Sequence, residues 1–218
     1  IPHLLTPVIT EPKKAIAVLA NLVAEMERRY KIMSQTRTKN IESYNEKMKK
    51  DGGEPLPFIV IIIDELADLM MTSGKEVEFH IGRLAQMARA SGIHLIVATQ
   101  RPSVDVVTGL IKANLPSRVS YRVGQKIDSK VIIDQMGAES LLGRGDMLFT
   151  PPGSPGVVRL HAPFASEEEI DHIAEFLKAQ ESVVYENSFL THDSASNSSI
   201  GEFSGEIDEL YDEAKSIV

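Results

Sequence analysis

Apolar residues between positions 13 and 33 fall at Ile16, Leu19, Leu22, Val23, Met26, Tyr30 and Met33. That spacing follows the 3.6-residue period of an amphipathic helix, and Pro12 suits its first turn. Residues 34–57 are polar and lysine-rich, and they close with Asp51-Gly52-Gly53 and Pro55-Leu56-Pro57, which predicts a second short helix followed by a loop. At Phe58 the pattern changes to an unbroken apolar run ending at Ile63, rich in β-branched residues, as expected of a strand buried on both faces of a parallel sheet. A helix over 75–90, with Ile81, Leu84, Ala85 and Ala88 inward, ends at Ser91-Gly92 before a second buried strand over 93–98. Further strands are expected over 119–123 and 145–149, with a short helix over 128–136 between them. After a stiff turn at Pro151-Pro152-Gly153, residues 157–160 read as a returning hairpin strand. Ser166 followed by Glu167, Glu168 and Glu169 caps a last helix to Gln180. Strands alternating with helices give an α/β architecture.

Beyond that helix the composition shifts. Residues 181–205 are acidic and then serine-rich, a flexible linker by composition. Helical spacing returns over 206–218 at Ile207, Leu210, Ala214 and Ile217. The charge shifts as well. The chain carries a net charge of −8, yet from Glu181 onward nine acidic residues face only Lys215, so residues 1–180 balance to zero. Between Arg89 and Arg144, eight basic residues stand against four acidic ones, a locally positive stretch suited to an anionic partner. The longest apolar run, 58–63, is far short of the ~20 residues that span a bilayer, so no membrane contact is expected of this stretch. With no cysteine, disulfide scaffolds and thiolate metal sites are excluded, and the six histidines lack metal-ligand spacing.

The strongest chemical signal is Ile59-Val60-Ile61-Ile62-Ile63-Asp64-Glu65, a strand delivering two carboxylates at the end where open α/β sheets bind ligands. This is the Walker B arrangement. In it the aspartate holds Mg²⁺ through water and the glutamate orients the attacking water of phosphoryl transfer, so Asp64 and Glu65 are the candidates. Acidic residues after a strand also simply open helices. Thr99-Gln100 ends the next strand, where Gln100 would sense the γ-phosphate or position water; by itself such a glutamine also fits a solvated loop. Arg89 is either an arginine finger toward a neighbouring subunit's nucleotide or a surface arginine at a helix C-terminus. The phosphate-cradling pattern Gly-x-x-x-x-Gly-Lys-Ser/Thr is absent: Gly74-Lys75 is followed by Glu76. Either the protein is a degenerate ATPase, or that loop precedes Ile1 in a longer parent; the fragment reading is favoured, and the chain alone is then expected to hydrolyse no ATP.

Three blocks carry a wider likeness: the run from Pro57 through Asp64-Glu65-Leu66-Ala67-Asp68 to Met70, the run from Arg83 through Ala88-Arg89-Ala90 to His94, and Ala98-Thr99-Gln100-Arg101-Pro102-Ser103-Val104-Asp105. With similar blocks at 1–7, 109–114 and 141–148, the chain resembles the FtsK/SpoIIIE family over residues 1–180. The resemblance implies a RecA-like P-loop NTPase core with a mainly parallel sheet flanked by helices. It also implies an ATPase using ATP and Mg²⁺, working as a hexameric ring that translocates double-stranded DNA in chromosome segregation and cell division. By the same motif, Asp64 and Glu65 are the Walker B pair, Gln100 the sensor and Arg89 the arginine finger. A pore loop over 101–112, with Arg101 and Lys112, and a second contact at Lys126 and Lys130 would touch DNA phosphates. Lysines at 126 and 130 stand where many members carry arginine, which replaces a bidentate grip with point charges; Arg144 stands where methionine is common. Residues 206–218 resemble the start of the family's winged-helix reader of DNA sequence. The stretch itself is expected to be cytoplasmic, in a parent anchored in the cell membrane at the division site that meets a site-specific recombinase and division proteins elsewhere. The alternatives are a conjugation or secretion ATPase of the same superfamily, or an adaptor that kept the fold and lost catalysis.

Overall fold

The computed structural model describes residues 1–153 and 156–190. The helical spacing at 206–218 and most of the expected linker lie outside the described residues.

Helix α1 (Pro12–Gln35) opens on its proline and buries Leu19, Leu22, Met26 and Met33. Leu19, Leu22 and Met26 join Leu66, Val77, Ile81 and Leu84 of α3 (Leu66–Met87) in the main core. Between them in sequence, α2 (Ile41–Asp51) starts on an Asn40–Ser43 capping box and ends on left-handed Gly52. Arg29, on the same face of α1, is 2% exposed. Its Nη1 donates to the carbonyls of Pro57 (2.8 Å) and Ser91 (2.9 Å), and its Nε to Glu25 Oε1 (2.7 Å). One buried cation thereby ties α1 to the lead-in of a strand and to the turn after α3. Burial pushes the Glu25 carboxyl up, but bonds from Arg28 and Arg29 outweigh it and hold it below its ordinary value.

Strands β1 (Ile59–Ile63) and β2 (Ile93–Val97) pair in parallel, from Ile59 opposite Ile93 to Ile63 opposite Val97. A 3-10 turn, Ala88–Ser91, links α3 to β2 through Gly92. The glycine is required there: its φ is +75°, and a Cβ would stand 2.3 Å from Ile41 Cδ1. The face of the pair made by Ile59, Ile61, Ile63, Ile93, Leu95 and Val97 packs into the main core. The opposite face is open, with Val60 55%, Ile62 70% and Ile96 54% exposed. Burial on both faces, expected from the unbroken apolar run, is therefore corrected to one: alternate side chains point to opposite faces, and among the described residues no helix covers the second.

The parallel arrangement extends no further. Strands β3 (Arg118–Tyr121), β4 (Asp146–Thr150) and β5 (Val158–His161) form a separate antiparallel sheet in that order. Within the α/β class, the described sheet is thus parallel only at β1–β2; β4 and β5 are joined by too short a turn for a crossover. Helix α5 (Lys126–Ile133) packs on this sheet over a small core of Ile133, Ala138, Leu141 and Leu148. At its rim, Gly145 (φ +98°) lies so close to the neighbouring strand end that a Cβ would meet Ala162 O at 2.0 Å.

Several boundaries differ from expectation, and three of the differences are substantial. Helix α3 begins at Leu66 rather than at 75, because Ser73 (φ −157°, ψ 57°) kinks it without ending it. A short helix, α4 (Gly109–Asn114), capped by Thr108, takes up the last third of the expected pore loop. Residues 186–190, assigned to the linker, fold back: Glu186 N donates to Leu5 O (2.8 Å) and Asn21 Nδ2 to Phe189 O (2.9 Å). The last helix, α6 (Glu167–Gln180), has its Ser166 capping box but buries no residue.

Candidate functional site

The register of β1 against β2 brings two strand ends together. Ala98 N donates to Ile63 O (2.8 Å) and Leu66 N to Ala98 O (2.9 Å), so Asp64-Glu65 sits beside Thr99-Gln100-Arg101. Glu65 is the N-cap of α3. Its Oε1 accepts from Ala67 N (3.1 Å) and from the Thr99 hydroxyl, and its Oε2 accepts from Gln100 N (2.9 Å). Burial pushes the Glu65 carboxyl up; the Thr99 hydroxyl, the Gln100 and Ala67 amides and the nearby Arg101 charge outweigh it and hold the group below its ordinary value. It is thus an anion at neutral pH, the state a group needs to polarise water.

Asp64 is exposed next to it. Among the described residues no cluster of three or more histidine or carboxylate side chains is fit to hold a metal unaided. Mg²⁺ suits such a place nonetheless, because it keeps its waters and takes one or two carboxylates together with substrate phosphates. Asp64, Glu65 and Asp68 also line a cleft of about 1130 Å³ that runs the length of β1, beside α1 and the N-terminal segment.

Gln100 meets Glu65 through its backbone amide, while its side chain is exposed beside it. Thr99, which sequence reasoning treated only as a polar neighbour, supplies the side chain that reaches Glu65. A hydroxyl one strand over from Glu65 was the available signal. Arg101 closes the group, with Nη2 donating to Asp68 Oδ1 (2.8 Å) and its amide to Thr99 Oγ1 (3.1 Å).

Arg89 is not brought to this group. It is exposed on the turn beyond the far end of the 22-residue α3, at the end of the strand pair opposite Glu65, where Ile59 N donates to Gly92 O. That turn is held from α1, by Arg29 at Ser91 O and by Tyr30, whose hydroxyl donates to Met87 O (2.5 Å).

The remaining candidate cations lie with the second sheet and divide in two. Lys112 is bound internally, its Nζ donating to Asp134 Oδ1 (2.6 Å) while Arg118 takes Oδ2 (2.5 Å). The bond from Lys112 holds the Asp134 carboxyl below its ordinary value against a small opposing effect of burial, with help from the Arg118 charge. Lys126 and Lys130, one turn apart on α5, are both exposed.

A family model described as the FtsK/SpoIIIE family matches residues 1–104. Across its full length the chain is 74% identical over 219 residues to the DNA translocase FtsK of Campylobacter jejuni subsp. jejuni (strain 81-176). It is 62% identical over 218 residues to that of Helicobacter pylori (strain J99). The chain spans about a quarter of these relatives, 23% and 26% of their lengths. Among solved structures, the pCW3 conjugation coupling protein TcpA with ATPgS matches at a TM-score of 0.69 and 32% identity, over 80% of this chain and 51% of that one. The cytoplasmic domain of the Thermomonospora curvata type VII secretion ATPase EccC matches at 0.62 and 21%, over 76% and 19%. The fold is therefore the RecA-like P-loop NTPase core of such ATPases.

Proposed function

The chain belongs to the FtsK/SpoIIIE family, and from that premise we propose that it is part of an ATP-driven motor that moves double-stranded DNA in chromosome segregation at cell division. The observation that carries this reading is the meeting of Asp64-Glu65 with Thr99-Gln100-Arg101 at the ends of two paired parallel strands, in a chain so similar to proteins named DNA translocase.

In this reading Glu65 accepts the proton side of the attacking water and aligns it with the γ-phosphate, and the Gln100 side chain, exposed next to it, senses that phosphate. Asp64 holds Mg²⁺ through water. When bound, the ion neutralises charge on the phosphates. The phosphate-cradling loop is not in this sequence, so the isolated chain is expected to turn over no ATP. Arg89, too far from its own Glu65, acts on a neighbouring subunit's nucleotide, which supports an oligomeric ring, taken to be a hexamer. Arg101, Lys126 and Lys130 meet DNA phosphates, contacts that give affinity without sequence information and suit a motor that passes over any sequence. Lys112 joins them only if it leaves Asp134. Among the described residues no helix is long and apolar enough to cross a membrane; anchoring at the division site, and meetings with a recombinase or division proteins, are assigned to other parts of the longer protein.

A conjugation or secretion ATPase is the second reading, favoured by the likeness to TcpA at 32% identity. ATP hydrolysis by the intact protein, with and without duplex DNA, decides between them. Stimulation by any duplex, lost in Glu65→Gln, is the expected result. Hydrolysis indifferent to duplex DNA favours the second reading, and hydrolysis indifferent to Glu65 overturns both.

A further inference from the structure

The bonds around Glu65 form a chain that leads outward to a candidate DNA contact. The Thr99 hydroxyl donates to Glu65 Oε1 while accepting from the Arg101 amide (3.1 Å). The amide of Gln100, the residue between them, holds Glu65 Oε2 (2.9 Å). The Arg101 guanidinium is in turn held by two residues of the first turns of α3, Asp68 Oδ1 (2.8 Å) and Met71 Sδ (3.2 Å). Residues 99–101 are thus fastened at both ends to the helix that Glu65 caps.

We propose that Thr99 is a positioning residue that keeps Glu65 turned toward the strand ends in the DNA-free protein, and that the Asp68–Arg101 pair is the latch holding it so until a DNA phosphate takes Arg101. The proposal rests on the reading of Glu65 and Arg101 given above. Three donors already hold the Glu65 carboxylate, two on Oε1 and one on Oε2, so the chain sets its orientation and leaves a single acceptor position for water. The Gln100 amide belongs to the peptide between 99 and 100, and the amide that holds the Thr99 hydroxyl to the next one, between 100 and 101, so both bonds depend on where this short segment lies. Asp68 and Arg101 are each about half exposed, with side-chain exposures of 56% and 55%, so a phosphate can reach the arginine and compete with the aspartate. Drawing Arg101 off α3 shifts that segment, loosens the Thr99 and Gln100 bonds and lets Glu65 turn toward the water. Duplex DNA then speeds hydrolysis by releasing a carboxylate that is already present and ionised.

The test uses the intact protein and measures ATP turnover without DNA and at saturating duplex DNA, with the Kd for a random-sequence duplex. Asp68→Asn, at an exposed position outside the core, is expected to raise the DNA-free kcat toward the DNA-saturated value. The same change is expected to tighten duplex binding about two- to fivefold, the weight of an exposed ion pair. Thr99→Val is expected to raise the DNA-free kcat and lower the stimulation ratio with Kd unchanged, and Thr99→Ser, which restores the hydroxyl, to return the ratio toward wild type. A purely structural role moves neither ratio nor Kd in this pattern. If wild type is stimulated by DNA and both Asp68→Asn and Thr99→Val keep its ratio, the latch is overturned and the functional reading stands. If Thr99→Val lowers kcat in both conditions, Thr99 aligns Glu65 for catalysis and the restraint is overturned. If wild type itself shows no stimulation, the latch and the functional reading fall together.

Discussion

The two sheets use the same residue types for opposite ends. At the end of the parallel pair, Asp64 is left to solvent and Glu65 is held by neutral hydrogen-bond donors that keep it ionised and within reach of a ligand. In the antiparallel sheet the carboxylates are consumed. Asp146 is 2% exposed and gripped by Arg159 through Nε and Nη2, at 2.9 and 2.7 Å, while Leu142 N adds a third bond. The arginine's bonds, then the Leu142 amide, against a weaker effect of burial, hold the Asp146 carboxyl down to about 2. Asp134 is likewise occupied by Lys112 and Arg118. A carboxylate whose oxygens are taken by cations of its own chain has little to offer a ligand, so geometry, rather than the count of acidic residues, separates the site from the scaffold.

The comparison breaks most sharply at Glu65. Glu65→Gln in the intact protein is expected to lower kcat for ATP about 100-fold or more while ATP binding persists, the scale of losing a general base; a kcat within a fewfold of wild type places the chemistry elsewhere. Next is Arg29, which holds the parallel half together. Arg29→Ala leaves the buried Ser91 carbonyl and the part-buried Pro57 carbonyl without their donor and Glu25 with Arg28 alone, and is expected to cost about 2–4 kcal/mol in urea unfolding. A cost near that of a surface change means that α1 packs without it. The two faces of β1 offer a sharper contrast between identical side chains. Ile63→Ala is expected to cost about 2–4 kcal/mol, and Ile62→Ala, at 70% exposure, under about 1 kcal/mol. Equal costs mean that the open face is covered in solution.

In the antiparallel half the probe is acid. Because the folded carboxyl of Asp146 lies below its unfolded value of about 4, its contribution to stability is complete above that pH and is lost as pH falls toward 2. Thermal unfolding followed over that range should fall less steeply in Asp146→Asn than in wild type, and parallel curves reject the pairing. The smallest effect is expected at α5, where Lys130→Ala weakens duplex binding by the intact protein alike for all sequences and lowers its salt slope by about one. An unchanged slope removes Lys130 from the interface.

Helix α1, both parallel strands and the capped start of α6 were legible because each has a clear period or an unambiguous cap. The open face of β1 was not, since Val60 and Ile62 are as apolar as the half-buried Ile61 and the buried Ile63, and sequence does not say whether a second layer is present. The early start of α3 was hidden by Ser73-Gly74, which looks like a boundary and acts as a kink. Asp64 and Glu65 were found from residue type at a strand end, and their meeting with Gln100 followed from strand adjacency. The part played by Thr99 and Asp68 depended on which atoms of the chain face Glu65 and Arg101, and the spacing of residues carries no trace of that. The internal pairing of Lys112 with Asp134 was hidden for the same reason, as the two are 22 positions apart.

The central claim is that hydrolysis at Glu65 drives movement along duplex DNA. It is tested most directly by displacement of a third strand from a triplex by the intact protein, comparing wild type with Glu65→Gln at saturating ATP. The account predicts displacement by wild type that requires hydrolysable ATP and a duplex track leading to the triplex, and none by Glu65→Gln although it still binds DNA. Displacement by Glu65→Gln at the wild-type rate, or none by a wild-type protein that hydrolyses ATP on the same DNA, would contradict it.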